Sequence, residues 1–261
     1  MIQRADSAKP VPQDSDRPDD AGSPATPWAI DIAGLTRRYG ATRALCQVDL
    51  AVPWDQRLGL FGPNGAGKTT LVRILATLVR PTTGTVVVGG LALPSQAAAV
   101  RCHVGYVGHQ TFLYDELSVR ENLQFYGRLY RIQNRAERIT TLIERVGLAD
   151  RADDRVRTLS RGLQQRAALA RAVLHDPTIL LLDEPDSGLD IDATSLISDL
   201  LVDELGRPRT VILTTHQVDV ALRMVERVVV IARGAIVLDA PVNLTSASEV
   251  ARAIRQSRIT S

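Results

Sequence analysis

The sequence predicts an α/β fold built around a phosphate-binding loop, and three observations carry that prediction. Residues 62–70 read GPNGAGKTT, a complete G-x-x-x-x-G-K-[ST] pattern fixed by Gly62, Gly67, Lys68 and Thr69. The loop stands between a short apolar run at 57–61 and a stretch whose apolar residues, Leu71, Ile74, Leu75 and Leu78, recur at helical spacing. Further along, a strand-rich start gives way to a helical stretch over 118–174. Apolar strand-like runs then return.

Taken in order, residues 1–27 hold five prolines and five aspartates with almost no large apolar side chain, so a disordered tail is expected. From Trp28 to residue 93, apolar runs broken by Gly and Pro predict strands at 29–35, 44–52, 58–61 and 85–88. In the helical stretch, Val119, Leu123, Tyr126 and Tyr130 form one face; Ile139, Leu142, Ile143 and Val146 form another, and Gly147 is a stop. Strands are predicted again at 179–182, 211–214 and 227–231.

Composition narrows the function classes. With 261 residues, 45% of them hydrophobic, the chain can bury a substantial core. A net charge of +2 gives no general pull toward nucleic acid or an anionic membrane surface. Cys46 and Cys102 stand too far apart for metal-ligand spacing, and buried structural roles in a reducing compartment are expected. No run approaches the ~20 apolar residues that span a bilayer, and the N-terminus has no apolar leader core. Of 31 basic residues only Lys9 and Lys68 are lysine. A compact ammonium suits a phosphate wrapped by backbone, whereas a guanidinium suits planar forks.

The chemistry of the loop follows from its residue types. Gly62, Pro63, Asn64, Gly65, Ala66 and Gly67 let backbone N–H groups turn inward, and the helix that opens at Lys68, Thr69 and Thr70 adds its partial positive charge. Lys68, expected in a solvent-facing loop, reaches the β- and γ-phosphates, and the Thr69 hydroxyl sits on Mg²⁺. Five further stretches accompany it. Tyr39, in Arg38-Tyr39-Gly40, is either a platform for a flat base or simple packing beside a turn. Gln110 ends the strand-like GYVGHQ run, where an amide either reaches Mg²⁺ or its water or lies on the surface. The run LSRGLQQR contains Ser160, a suitable N-cap, and Gly162, which leaves backbone room, making a second helix N-terminus that faces an anion. The run ILLLDEP is a buried parallel strand ending in two carboxylates. Open α/β sheets hold ligands beyond the carboxyl ends of their strands, so Asp183 suits water-mediated Mg²⁺ binding and Glu184 the general base. A turn at 187–190 follows. Finally, the apolar run VILTTH ends in His216, which can donate to a γ-phosphate.

In this order the motifs resemble the ATP-binding-cassette (ABC) ATPase family over about residues 28–240. The resemblance implies a P-loop NTPase core with an antiparallel β subdomain and an inserted α-helical subdomain at about 111–175. The nucleotide-binding domain would run over 28–245, with a short C-terminal segment at 246–261. It further implies ATP and Mg²⁺ as ligands and a head-to-tail pair of copies, each ATP lying between the phosphate loop of one and residues Ser160, Gly162 and Gln164 of the other. Tyr39 would stack on adenine, Gln110 would be the sensing glutamine between subdomains and a metal contact with Thr69 and Asp183, Asp190 would be the aspartate of the turn after the catalytic strand, His216 would be the switch histidine, and Glu184 the catalytic base. One departure stands out: the family's common LSGGQ reads LSRGLQ here, with Arg161 in place of the first glycine and Leu163 ahead of Gln164.

The membrane pore is expected in separate integral subunits, with this chain peripheral on the cytoplasmic face of the membrane. The run GHQTFLYDELSVRENLQFYGRLY, with SRGLQQR, is similar to the ATP-binding subunit of the haem exporter of cytochrome c maturation. That resemblance implies haem export, with the ATPase of a drug, lipid or polysaccharide exporter and a non-transport ABC ATPase as other readings. Only 20 residues follow Pro241, which argues against an importer with an appended regulatory domain. The short insertion at 111–158 forms no basic stripe, so no nucleic-acid partner is expected. Phe112, Leu113 and Tyr114 in this insertion either dock a membrane partner or pack internally.

Overall fold

The structure, a computed structural model, describes residues 26–185, 193–202 and 206–259. The expected tail therefore falls outside the described residues apart from Thr26 and Pro27, and so does the 187–190 turn with Asp190.

Two sheets organise the chain. Strands β1 (Trp28–Tyr39) and β2 (Thr42–Pro53) form an antiparallel hairpin closed at Tyr39 and Thr42, longer at both ends than the expected runs. The sheet is completed by β4 (Thr83–Val88) on the other side of β1 and then by β5 (Leu91–Leu93). The second sheet has the order β10-β9-β3-β8-β7-β6. Its strands are β3 (Arg57–Phe61), β6 (Val104–Val107), β7 (Ile179–Asp183), β8 (Thr210–Thr214), β9 (Arg227–Ala232) and β10 (Ala235–Pro241). All its pairings are parallel except β10 against β9.

Period-two alternation on buried parallel strands splits the interior into two cores. Ile179 and Leu181 of β7, with Val229 and Ile231 of β9, face the antiparallel sheet and helix α1 (Lys68–Leu75). Leu180 and Leu182, with Val228 and Val230, face the helical side instead. The β7 side chains are all buried, which is why the run reads as continuously apolar.

Helix α2 (Ala97–His103) precedes β6. The helical stretch resolves into α3 (Val119–Leu129), α4 (Arg135–Arg145) and α5 (Arg161–Val173), with 3₁₀ turns at Ala149–Arg151 and Val156–Thr158. Ser118 and Glu121 start α3 with a reciprocal capping box. Ile139, Leu142, Ile143 and Val146 are buried as their spacing predicts, and Gly147, at φ 69°, ends the α4 region in a left-handed turn. After α6 (Ala193–Leu200) and α7 (Val218–Ala221), the segment from 246 onward, expected only as a short tail piece, forms α8 (Ala247–Ile259). This helix packs on β9 with Val250 fully buried.

Candidate functional site

The carboxyl ends of β3, β7 and β8 lie side by side, and the chain turns away from each of them into a loop. The loop after β3 runs directly into α1. At its end Gly67 has φ 109°, and a methyl group there would run into the Ala44 carbonyl oxygen, so only glycine allows this approach. Lys68 is the first residue of α1 and is 6% exposed, which corrects the expectation of a solvent-facing loop lysine. Its Nζ donates to the Gly62 carbonyl at 2.8 Å and the Pro63 carbonyl at 3.1 Å. The ammonium is thus folded back under its own loop. Burial lowers its pKa from the ordinary value, while Glu184 and Asp183 act to raise it. Asn64 and Gly65 form the exposed tip, Ala66 is buried beneath it, and Thr69 and Thr70 are half-buried in the first turn of the helix.

Asp183 is the last residue of β7, one residue beyond the expected strand, and it is 4% exposed. Its Oδ1 accepts from Thr214 Oγ1 at 2.8 Å and Thr69 Oγ1 at 3.2 Å. The Asp183 carboxylate thereby joins the β7 end, the β8 end and the phosphate-loop helix. Glu184 follows in a left-handed conformation, φ 54°, where a non-glycine residue is strained. Its N–H donates to the Thr214 carbonyl and to Thr214 Oγ1, both at 3.0 Å, which holds the strain in place. The Glu184 Oε1 lies 2.9 Å from His216 Nε2. His216 does not end β8 itself but lies two residues beyond Thr214.

The remaining expected residues are more dispersed. Gln110 does not end a strand: β6 stops at Val107, and Gln110 lies three residues further on, exposed. Gly108 follows β6 directly, and the Tyr106 hydroxyl lies where a side chain on that glycine would be. Tyr39 is 46% exposed at the end of β1, with the Arg37 guanidinium 4.4 Å from its ring centroid. Ser160 is the N-cap of α5, accepting from Leu163 N–H at 3.4 Å, and Gly162 follows in the first turn. Gln164, which the resemblance places against the ATP of the second copy, is engaged within its own chain. Its Nε2 donates to the Val156 carbonyl at 3.0 Å and the Leu159 carbonyl at 3.2 Å, supplying donors to the 3₁₀ turn that leads into the helix. Leu163 packs against the helical core. Arg161, for which the sequence offered no partner, places Nη2 3.3 Å from both ring nitrogens of His109. Asp190 lies outside the described residues.

Sequence reasoning passed over three residues. Thr214 bridges Asp183 and Glu184, and the signal was a threonine closing an apolar strand beside a carboxylate pair. Gln165, 5% exposed, donates to the Pro185 carbonyl at 3.2 Å and so ties α5 to the turn after Glu184. Arg171, buried on α5, reads in sequence as one more arginine among many.

The donor set at the phosphate loop fits Mg²⁺, which needs hard oxygens, few protein ligands and substrate phosphates. Thr69 and Asp183 offer hydroxyl and carboxylate oxygens 3.2 Å apart. Among the described residues no group of three His, Cys, Asp or Glu side chains forms a dedicated metal cage. A groove of about 760 Å³ lined by Tyr130, Arg138, His175 and Asp176, among others, shares no residue with this site. Among the described residues no helix is long and apolar enough to cross a membrane.

A family model described as ABC transporter matches residues 45–187. Nod factor export ATP-binding protein I of Rhizobium meliloti (strain 1021) is 40% identical over 208 residues, covering 79% of this chain and 62% of that protein. The chain therefore spans less than two thirds of that relative's length. Daunorubicin resistance ATP-binding protein DrrA3 of Streptomyces coeruleorubidus is 38% identical over 213 residues, with 81% and 67% covered. Among solved structures, an ATP-binding cassette in a dimeric post-hydrolysis state, bound to ADP and Pi, aligns with a TM-score of 0.73 at 28% identity, covering 82% of this chain and 98% of that one.

Proposed function

We propose that this chain, which belongs to the ABC transporter family, binds and hydrolyses ATP as one half of a head-to-tail pair and drives export through separate integral membrane subunits. The observation that carries the reading is the joint between Thr69, Asp183, Thr214 and Glu184, which sets a phosphate-loop hydroxyl, a buried carboxylate and an outward-turned carboxylate at neighbouring strand ends. When ATP enters, Lys68 Nζ exchanges the Gly62 and Pro63 carbonyls for β- and γ-phosphate oxygens. The loop from Gly62 to Gly67 and the first turn at Lys68, Thr69 and Thr70 present N–H groups to the phosphates. Thr69 and Asp183, with Gln110, would hold Mg²⁺, which would supply charge neutralisation for the phosphates. Glu184 takes a proton from the attacking water, and His216, 2.9 Å away, holds the carboxylate and faces the phosphate released. Tyr39 offers adenine the ring face opposite Arg37. Ser160 and Gly162 of the second copy close over the γ-phosphate from a helix N-terminus, while Gln164 braces the turn behind them. The dimeric state of the neighbour bound to ADP and Pi supports the pairing.

The membrane partner docks, in this reading, on the aromatic surface beside α3. Phe112, Tyr114, Phe125 and Leu129 are exposed there, whereas Leu113, expected with them, is partly buried against the helical core. The chain would then sit peripherally on the cytoplasmic face of the membrane.

The Nod factor and daunorubicin-resistance relatives favour an exporter of drug, lipid or polysaccharide type for the cargo. A second reading, haem export for cytochrome c maturation, rests on the GHQ loop at 108–110 and the ENLQFY run at 121–126. The structure accounts for much of that run without a cargo. Glu121 closes the capping box, and Leu123 is core. Buried Asn122 accepts from the Tyr114 N–H at 2.8 Å and donates to the Ser118 carbonyl at 2.9 Å, bracing the 114–118 turn. Loss of haem-stained c-type cytochromes on gene deletion would restore the haem reading.

The direct test of ATP binding is Lys68→Ala, read by equilibrium titration with a fluorescent ATP analogue. Binding is expected to weaken by about 100-fold or more, as befits loss of a charge-assisted contact in a partly buried site. Unchanged affinity would overturn the phosphate role of Lys68.

A further inference from the structure

Helix α5 lies directly along β6 and the loop that follows it. A methyl group on Gly105 of β6 would run into the Ala172 carbonyl oxygen, so strand and helix are in backbone contact. Two arginines on α5 then reach the flanks of Gln110. Near the helix start, Arg161 Nη2 meets the His109 ring at 3.3 Å. Near its end, Arg171 Nη2 donates to the Tyr106 carbonyl at 2.6 Å, and the guanidinium lies 5.8 Å from the Phe112 ring centroid and 5.4 Å from that of Tyr126. The Tyr126 hydroxyl donates to the Phe112 carbonyl, and Phe112 takes a left-handed φ of 55°. Arg171 is buried, and burial lowers its pKa from the ordinary value. A desolvated arginine is costly to keep, and here two aromatic faces and the Tyr106 carbonyl offset part of that cost, while Nε has no hydrogen-bond partner among the described residues. The Tyr106 and Phe112 rings lie 6.0 Å apart and both residues meet Arg171, while His109 between them meets Arg161. The loop therefore turns back on itself and is held on both sides of Gln110.

We propose that Arg161 and Arg171 are positioning residues that clasp the Gln110 loop to the signature helix, so that the loop moves with α5 when Ser160 engages the ATP of the partner copy. This rests on the proposed sensing role of Gln110. It also gives a task to the arginine that replaces the common signature glycine: at position 161 a glycine would leave His109 unheld. Arg161 and His109 are both exposed, so this end of the clasp is the weaker one, and Arg171 is the anchor.

The test uses the full chain and two readouts. Amide hydrogen exchange of residues 108–114, read by mass spectrometry, reports the clasp, and ATP turnover reports its consequence. Arg161→Gly loosens the exposed end, Arg171→Lys the buried end. Because the buried variant can fail to fold, Phe112→Leu removes the Arg171 stacking face from a half-exposed position instead. Exchange of 108–114 is expected to rise by about tenfold in Arg171→Lys or Phe112→Leu, and by a few-fold in Arg161→Gly, with α1 and β7 unchanged. Turnover is expected to fall by about fivefold with KM for ATP within twofold, because a displaced loop costs positioning rather than binding. Unchanged exchange in all three variants overturns the clasp. Raised exchange with unchanged turnover, while Gln110→Ala lowers turnover, overturns its positioning role. Normal turnover of Gln110→Ala overturns the sensing role of Gln110 instead, and the exchange result still decides the clasp.

Discussion

At the scale of single residues the site rests on hydroxyls as much as on charges. Thr214 Oγ1 donates to Asp183 and accepts the Glu184 N–H, so one threonine fixes two carboxylate-bearing residues. Thr214→Val keeps shape and removes both bonds. It leaves the buried Asp183 short of a donor and the strained Glu184 turn without one of its two acceptors, at a cost of roughly 1–3 kcal/mol. Turnover is expected to fall by about tenfold or more, with the denaturation midpoint lowered in the same variant; unchanged turnover would show that Thr69 alone positions Asp183. The phosphate-loop residues and the Asp183–Glu184 pair were legible because each type is dictated by its local chemistry at a fixed spacing. Thr214, Gln165 and Arg171 were not. Their importance depends on which carbonyl or carboxylate lies opposite in space, and spacing along the chain carries no trace of that. The bonds of Gln164 to the carbonyls of Val156 and Leu159 were hidden for the same reason.

At the scale of elements, long periodic segments were legible and short ones were not. Helices α3 and α4 and strands β7, β8 and β9 announce themselves through uninterrupted spacing. Strand β5 has three residues, α2 opens on alanines, and β10 alternates weakly at a half-exposed edge, so none gives a periodic signal above its surroundings. Gln110 was placed on a strand because GYVGHQ is apolar and aromatic, yet pairing with β7 ends at Val107 opposite Leu182. The helical subdomain also carries a pH response. His175, just past α5, stacks on Tyr130 with ring centroids 4.0 Å apart, and burial pushes its pKa down from 6.5 to about 4. A folded-state pKa below the unfolded value means that the unfolded chain binds the extra proton. Stability is therefore full above pH 6.5 and declines as pH falls toward about 4. His175→Phe retains the stack and removes the titration. The wild-type chain is expected to lose roughly 2 kcal/mol more than the variant across that window, measured by urea unfolding at several pH values. Parallel curves would contradict the buried neutral imidazole.

At the scale of the whole molecule, the proposed function makes this chain half of a site. Thr69, Asp183, Thr214, Glu184 and His216 are joined at neighbouring strand ends, while Ser160 caps a separate helix, α5, which in that proposal serves the second copy. Family and fold were legible from the motif order, since each motif needs its own strand or helix end and the order fixes the sheet. The cargo was not, because Glu121, Asn122 and Leu123 of the ENLQFY run serve capping, turn bracing and core packing, so those residue types follow from the fold whatever the cargo. The most direct measurement is the mass of Glu184→Gln in solution with ATP and Mg²⁺. The variant keeps the size and polarity of Glu184 and loses its basicity, so ATP binds and is not turned over. Sedimentation is expected to show a dimer with ATP that returns to monomer with ADP, alongside a turnover loss of about 100-fold or more. A monomer under both nucleotides, or turnover near that of the wild-type chain, would contradict ATP held between two copies with Glu184 as the base.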